Sequence, residues 1–383
     1  MTKKGMIVNR CIGIRVFFYS ILAGFLISAM AGCGGIGASA MRNSRTDYNI
    51  ALQRSNEEQL LANLVRLRYA QSPSFLEIEG ITTQLSLDAQ ASTGFQHGRE
   101  DASSVTITDV FSFGGSVGFS SNPTITFTPL RGEDFLKQLL APIEIEKIML
   151  LYNSGWTLKR VLRLTVQSIN GIPNAKRANG PTPENIPRFA EFEEVIDLMR
   201  ELEKQDLLEF LFETYKGETR VVLSMQPQAW DTFEAFSLAK LLDIEPEQQQ
   251  YEIVYRSVRP EVRQPERTIM IETRSLLGVL FFLSQNVQVP AEDVNKGAVK
   301  MTVSEDGVPF DWADVLKNSF NVKSAYNRPS SASVAINYRG SWFYIEDSDI
   351  ETKATLMLVS QLFALQSGQG KTLTPILTLP VGR

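Results

Sequence analysis

From Ile81 to Phe95 apolar and polar residues alternate with period two, and this stretch constrains the fold more than any other. The odd positions are Ile81, Thr83, Leu85, Leu87, Ala89, Ala91, Thr93 and Phe95; the even ones are Thr82, Gln84, Ser86, Asp88, Gln90, Ser92 and Gly94. A helix cannot keep such a pattern on one face, whereas a strand sends successive side chains to opposite faces. The run covers about fifteen residues, well beyond an ordinary strand. After a charged turn at Gly98 to Ser103 the alternation resumes with Val105, Ile107, Phe111, Phe113, Val117 and Phe119, and a short strand, Thr124 to Thr128, follows Asn122-Pro123. No charged residue lies between Val110 and Leu130. The prediction is one long hairpin with a short companion strand.

The surroundings read as helix and then as mixed structure. Thr46 to Tyr69 is helical, with Leu60, Leu61, Leu64 and Leu67 on one stripe and Glu57, Glu58, Asn63 and Arg66 off it; Ser72-Pro73 should end it. Glu133 to Tyr152 and Thr157 to Ile169 look helical. Asn170 to Pro187 holds four prolines and two glycines and is the candidate domain boundary. Beyond it come an amphipathic helical pattern from Phe189 to Tyr215, a strand at Arg220 to Met225, a helix from Asp231 to Leu242, and strands at Tyr251 to Ser257 and Thr268 to Glu272. The apolar run Leu276 to Leu283 should be a buried helix, too short to span a bilayer. Val299 to Val303 and Ala332 to Glu346 read as strands, the second broken at Arg339-Gly340. A final helix should carry Ile350, Ala354, Met357, Leu358, Leu362 and Leu365 on its apolar face, with Ser348 and Glu351 as a capping box. The fold class expected is α+β: a helix and long hairpin with helices over 46–170, a linker at 171–187, and a mixed α+β domain over 188–383.

The first 45 residues have a different character. Lys3, Lys4, Arg10 and Arg15 precede an uncharged run from Val16 to Ala31, the charged and apolar regions of a secretory signal, and sixteen residues fall short of the roughly twenty that span a membrane as a helix. The run ends at Met30-Ala31-Gly32-Cys33, which resembles the lipobox of bacterial lipoproteins, with Met30 where leucine is usual. The resemblance implies a signal peptide over 1–32, acylation of Cys33 as the first mature residue, and a flexible tether over 33–45. Acyl chains contribute about 0.8 kcal/mol per buried methylene, enough for several to hold a protein firmly on a bilayer. With Gly34 after the cysteine, where aspartate is the inner-membrane retention signal in this class, the resemblance implies an outer-membrane address facing the periplasm.

Composition narrows the chemistry. The signal carries four of the 38 basic residues and none of the 43 acidic ones, so the mature chain holds a net charge of about −9, which argues against nucleic acid as a partner. Cys11 lies in the signal and Cys33 would be alkylated, so no disulfide or thiolate chemistry is expected. His97 is the single histidine, so a zinc site would have to be built almost wholly from carboxylates, and any Ser/His/Asp arrangement must use that residue. No cofactor and no metal is expected.

Several motifs come close to a known chemistry and fall short. Gly114-Gly115-Ser116-Val117-Gly118 matches a nucleophile elbow, but strand flanks it on both sides and His97 precedes it. Gly368-Gln369-Gly370-Lys371-Thr372 resembles the end of a phosphate loop, but Leu365 stands where the first glycine belongs and Pro375 follows. Asp347, Asp349 and Glu351 have the spacing of calcium ligands, without the glycine and glutamate an EF-hand requires; Thr352 and Leu358 stand there. Arg256, Arg259, Arg263 and Arg267 form a basic cluster interleaved with Glu261 and Glu266, read as a solvated loop.

The segment from Glu58 to Tyr69 and the closing Leu379-Pro380-Val381-Gly382-Arg383 look like uncharacterised bacterial lipoproteins, a resemblance that implies no activity. The function expected is a non-catalytic binding or scaffold component, held by membrane lipid through Cys33, with an envelope protein or further copies of itself as partner. The alternatives are a subunit of an oligomeric outer-membrane pore or secretion channel using the 81–120 hairpin, and a carboxylate-dependent hydrolase.

Overall fold

The computed structural model describes residues 45–96, 110–215, 218–255, 265–316 and 319–367. The chain is α+β, as its patterns predict. Helix α1 spans 45–68, and Leu60, Leu61, Leu64 and Leu67 are buried as expected. It ends before Ser72-Pro73. Ala70 adopts a left-handed backbone (φ 54°), the Gln71 N–H donates to the Arg66 carbonyl (2.8 Å) and the Ala70 N–H to the Leu67 carbonyl (3.0 Å), which makes a Schellman stop.

Strands β1 (Leu76–Gln96) and β2 (Val110–Pro129) form an antiparallel two-stranded sheet of their own. The short strand expected at Thr124 to Thr128 is the root end of β2, which runs through Asn122-Pro123 without a break. Three short helices follow: α2 (Glu133–Leu140), α3 (Ile145–Asn153) and α4 (Leu158–Thr165). The helix expected to reach Ile169 stops at Thr165, and Val166–Ile169 is strand β3. Asn170 (φ 45°) and Gly171 (φ 85°) turn the chain back into β4 (Ile172–Pro173), the two-residue Asn-Gly hairpin whose positive φ values match strand twist.

The expected linker at 171–187 is therefore part of the body. Its residues Asn174, Ala175 and Ala178 are buried, and one hydrophobic core runs continuously from Leu60 to Leu362. Strand β3 pairs with β8 (Thr268–Thr273), just over a hundred residues along the chain, so the main sheet straddles the proposed boundary. That sheet has the order β4-β3-β8-β7-β6-β5, where β5 is Leu208–Tyr215, β6 Glu218–Met225 and β7 Gln250–Tyr255; only β7 and β8 are parallel.

The helical pattern expected from Phe189 to Tyr215 divides into α5 (Ala190–Lys204) and β5. Asp206 (φ 56°) and a Leu207 N–H to Leu202 carbonyl bond (2.9 Å) close the helix as Ala70 closes α1. Helix α6 (Phe233–Leu242) packs on α5, and α7 (Leu276–Ser284) is the buried apolar helix expected, capped by the Ser275 hydroxyl accepting from the Gly278 N–H (3.0 Å). Val299 to Val303 forms no strand, only an isolated bridge from Val303 to Pro309. After α8 (Ala291–Asn295) and α9 (Ala313–Leu316), a three-stranded sheet joins β9 (Lys323–Ala325), β10 (Ala332–Tyr338) and β11 (Ser341–Glu346), with the expected break at Arg339-Gly340.

Helix α10 (Ile350–Ser367) is the last element among the described residues, and its buried face agrees with the expected one in part. Leu358 and Leu362 are buried as expected and Ala354 and Leu365 half-buried, but Ile350 and Met357 are exposed, and Thr352, Thr355, Leu356 and Val359 are buried beside them. Asp349, not Ser348, caps it: its carboxylate accepts from the Thr352 N–H (3.0 Å) and hydroxyl (2.7 Å). Glu351 instead pairs with Arg160 of α4.

The centre of the body is Arg274, between β8 and α7, with its guanidinium almost wholly inside. Its Nη1 donates to the carbonyls of Arg163 (3.1 Å), Leu164 (3.1 Å) and Val166 (2.7 Å), at the C-terminal end of α4, where the helix dipole favours a cation. Nε donates to Asn179 Oδ1 (2.8 Å), and the guanidinium lies 4.0 Å from the ring centroid of Phe282. Burial pulls its pKa down to about 9, still above neutrality, so the charge persists at pH 7. Asn174 serves the same carbonyls, donating to Arg163 (2.8 Å) and Val166 (2.7 Å). Proline and glycine here shape a path around a buried cation.

Candidate functional site

The hairpin is the feature the rest of the fold does not absorb, and its root is built with care. Gln59 and Asn63 lie one turn apart on the same side of α1. Asn63 donates from Nδ2 to the Ser74 carbonyl (2.8 Å) and accepts at Oδ1 from the Ser74 N–H (2.9 Å). Gln59 does the same with Leu76, donating to its carbonyl (3.2 Å) and accepting from its N–H (2.6 Å). Four residues of helix rise about 6 Å and two residues of strand about 6.7 Å, so two carboxamides spaced i, i+4 meet two peptide units spaced i, i+2. The helix thus presents a two-rung ladder to the incoming strand.

The intervening residue points its peptide the other way. The Phe75 carbonyl accepts from the Leu130 N–H (3.0 Å), the first bond across to the returning chain. The Phe75 ring is buried between Phe363 of α10 (centroids 4.9 Å apart) and Phe135 of α2 (5.9 Å). A groove of about 530 Å³ opens beside this root, lined among others by Leu52, Gln59, Leu60, Ile78 and Phe363.

Asn63 was expected off the apolar stripe and is in fact wholly buried, because its amide replaces the strand partner that Ser74 lacks. The signal available in the sequence was the pair of amides at helical spacing on the margin of a leucine stripe, just ahead of a strand. Their role becomes visible only once the strand is beside them.

Beyond the root the ladder runs from Gly80↔Thr126 to Gln96↔Val110, after a register shift between Ile78 and Gly80. At about 3.4 Å per residue this reaches roughly 55 Å. Among these paired residues only Asp88 is charged. No third strand lies beside either arm among the described residues.

The other predicted positions fall out as follows. Cys33, His97, Arg256, Arg259, Arg263 and Gly368 to Thr372 lie outside the described residues. Gly114 to Gly118 is extended within β2, opposite Ser92 to Asp88, and not the strand-to-helix turn a nucleophile elbow needs. Asp347, Asp349 and Glu351 diverge to Lys353, Thr352 and Arg160 respectively. Arg267 pairs with Glu245 at the surface (3.2 Å).

Among the described residues no three of His, Cys, Asp or Glu converge as a metal site requires, and no helix is long and apolar enough to cross a membrane. A second groove, of about 400 Å³, is lined by Pro142, Glu144, Glu146, Arg220 and Tyr255 among others; Arg220 there lies 3.6 Å from both Glu213 and Glu252. Compared with protein-family models, with curated proteins and with solved structures, the chain matches none.

Proposed function

We propose that this is a lipid-anchored protein of the bacterial outer membrane, held through acylated Cys33 on the periplasm-facing side, and that it acts as a non-catalytic binding or scaffold component whose working part is the β1–β2 hairpin. The observation carrying this is that two strands of about twenty residues each leave the body as a sheet of their own, from a root fastened by four side-chain hydrogen bonds and an aromatic cluster. A hairpin alone in water is marginal, and its cost is justified by a surface that it meets.

The length of the arms favours a second reading, as a pore or secretion-channel subunit. A membrane-spanning strand takes about nine to eleven residues, and each arm exceeds that. The test is crosslinking in cells with the full-length protein beside a variant in which residues 81–124 are replaced by an Asn-Gly turn. Loss of the crosslinked partner from a body that keeps its thermal midpoint supports the hairpin as the working part. Unchanged partner capture overturns it. Separately, Cys33→Ser should remove the acyl chains and release the protein from the membrane fraction or trap it as precursor; a Ser variant bound at mature size overturns the anchor.

A further inference from the structure

We infer that the hairpin's free edges are taken up by second copies of this same chain, the outer edge of β1 in one copy pairing antiparallel with the outer edge of β2 in the next. This deepens the proposed function and rests on its anchor for the common orientation of the copies. The starting point is the composition of the edges. Native sheets protect an open edge with lysine, proline, a bulge or a covering element. Here the protections sit at the root: the register shift at Ile78/Gly80, Glu77, Glu79, Pro123 and Pro129. From Gln84↔Asn122 to Gln96↔Val110 neither arm has a lysine, an arginine or a proline, and Asp88 is the single charge. Among the described residues both outer edges of that distal half therefore present unpaired peptide groups, with nothing in the sequence of the arms to discourage a neighbouring strand.

Orientation selects the pairing. Copies held on one membrane leaflet and packed side by side in one orientation raise their hairpins in the same direction. Like strands of two such copies, β1 beside β1, could then meet only in parallel. Unlike strands, β1 beside β2, meet antiparallel, the commoner and somewhat stronger ladder. This contact is heterologous, uses both edges of every hairpin, and leaves no edge unpaired once it closes into a ring. A foreign strand, by contrast, would satisfy one edge and leave the other bare.

The chain provides its own test, since its only cysteines are Cys11, in the signal, and Cys33, which carries the acyl chains. Differently tagged copies of the full-length protein, one with Gln90→Cys and the other with Ser112→Cys, Ser116→Cys or Ser120→Cys, are co-expressed, extracted in mild detergent and oxidised. The expected result is a crosslink between unlike tags that peaks at one β2 position, in particles larger than a dimer, with the 81–124 replacement reduced to a monomer of unchanged thermal midpoint. Crosslinks confined to like positions overturn the head-to-tail pairing. A monomeric wild type without crosslinks overturns the second copy as occupant; if a hairpin-dependent partner is still captured in cells, the scaffold function stands and its partner is another protein.

Discussion

Asn63→Asp tests the hairpin root with the smallest change available, because the two side chains have the same shape and differ in whether they can donate. The amide both donates to the Ser74 carbonyl and accepts from the Ser74 N–H, at a site with no exposure. A carboxylate keeps the second bond and loses the first. The lost bond costs about 1 kcal/mol, and setting an acceptor against an unsatisfied carbonyl adds about 1–3 kcal/mol, so the variant should be about 2–4 kcal/mol less stable at pH 7. Protonation restores the donor. The introduced carboxyl is therefore held neutral in the folded protein, with its pKa raised above the unfolded value of about 4. A group with a raised folded pKa contributes its stability below the unfolded pKa and loses it as pH rises through the folded one. The deficit relative to wild type should thus be small at pH 4 and complete by pH 7. Urea denaturation at both pH values measures it, and hydrogen exchange should show Ser74 and Leu76 losing protection first. A deficit below about 0.5 kcal/mol at pH 7, or one of equal size at both pH values, refutes the clamp.

Other perturbations probe the body. Arg274→Met keeps the stem but strands the carbonyls of Leu164 and Asn174, and should cost about 3–5 kcal/mol in urea denaturation while exposing 171–187 to limited proteolysis; a protease-resistant variant near wild-type stability refutes Arg274 as the organising cation. Glu193→Gln removes the charge that faces Arg163 in a buried bidentate pair (2.7 and 2.5 Å) and should cost about 3 kcal/mol. The Tyr251 hydroxyl donates to the Glu245 carbonyl (2.5 Å) and burial pushes its pKa up to about 12, so wild type should lose stability as pH rises from 10 to 12; Tyr251→Phe should cost about 1 kcal/mol at pH 7 and lose less across that window, with phenolate absorbance reporting the ionisation. Ala70→Gly relieves the left-handed alanine that closes α1 and should raise stability by about 0.5–1 kcal/mol, read as a higher thermal midpoint.

Local chemistry carried the elements whose neighbours matter least. The leucine stripe of α1, the long alternation of β1 and β2, and the all-round apolar run of α7 were each legible, because period and composition alone distinguish one face, two faces and complete burial. The misplaced boundaries have a common cause. Asn170-Gly171 is a hairpin signal hidden in a proline-rich stretch, and Asp206 ends α5 in a left-handed conformation normally reserved for glycine or asparagine. The expected face of helix α10 holds at Leu358 and Leu362, which are buried, and fails at Ile350 and Met357, which are exposed. Its buried threonines, Thr352 and Thr355, are satisfied by the cap and by the Ser319 carbonyl (2.7 Å), partners outside the helix's own periodicity.

By itself the sequence determined that this chain contains a strand pair of unusual length beside an amphipathic helix, within an α+β body. Tertiary structure alone decided that the body is continuous across 171–187 and that the hairpin is clamped at its root. The physical reason is the same in both places. A buried guanidinium or carboxamide is tolerated only where every donor and acceptor finds a partner, and those partners are peptide groups, which every residue carries and no sequence pattern marks. Arg274 finds its carbonyls a hundred or more residues earlier, and Asn63 finds Ser74 only after the chain has turned back along α1.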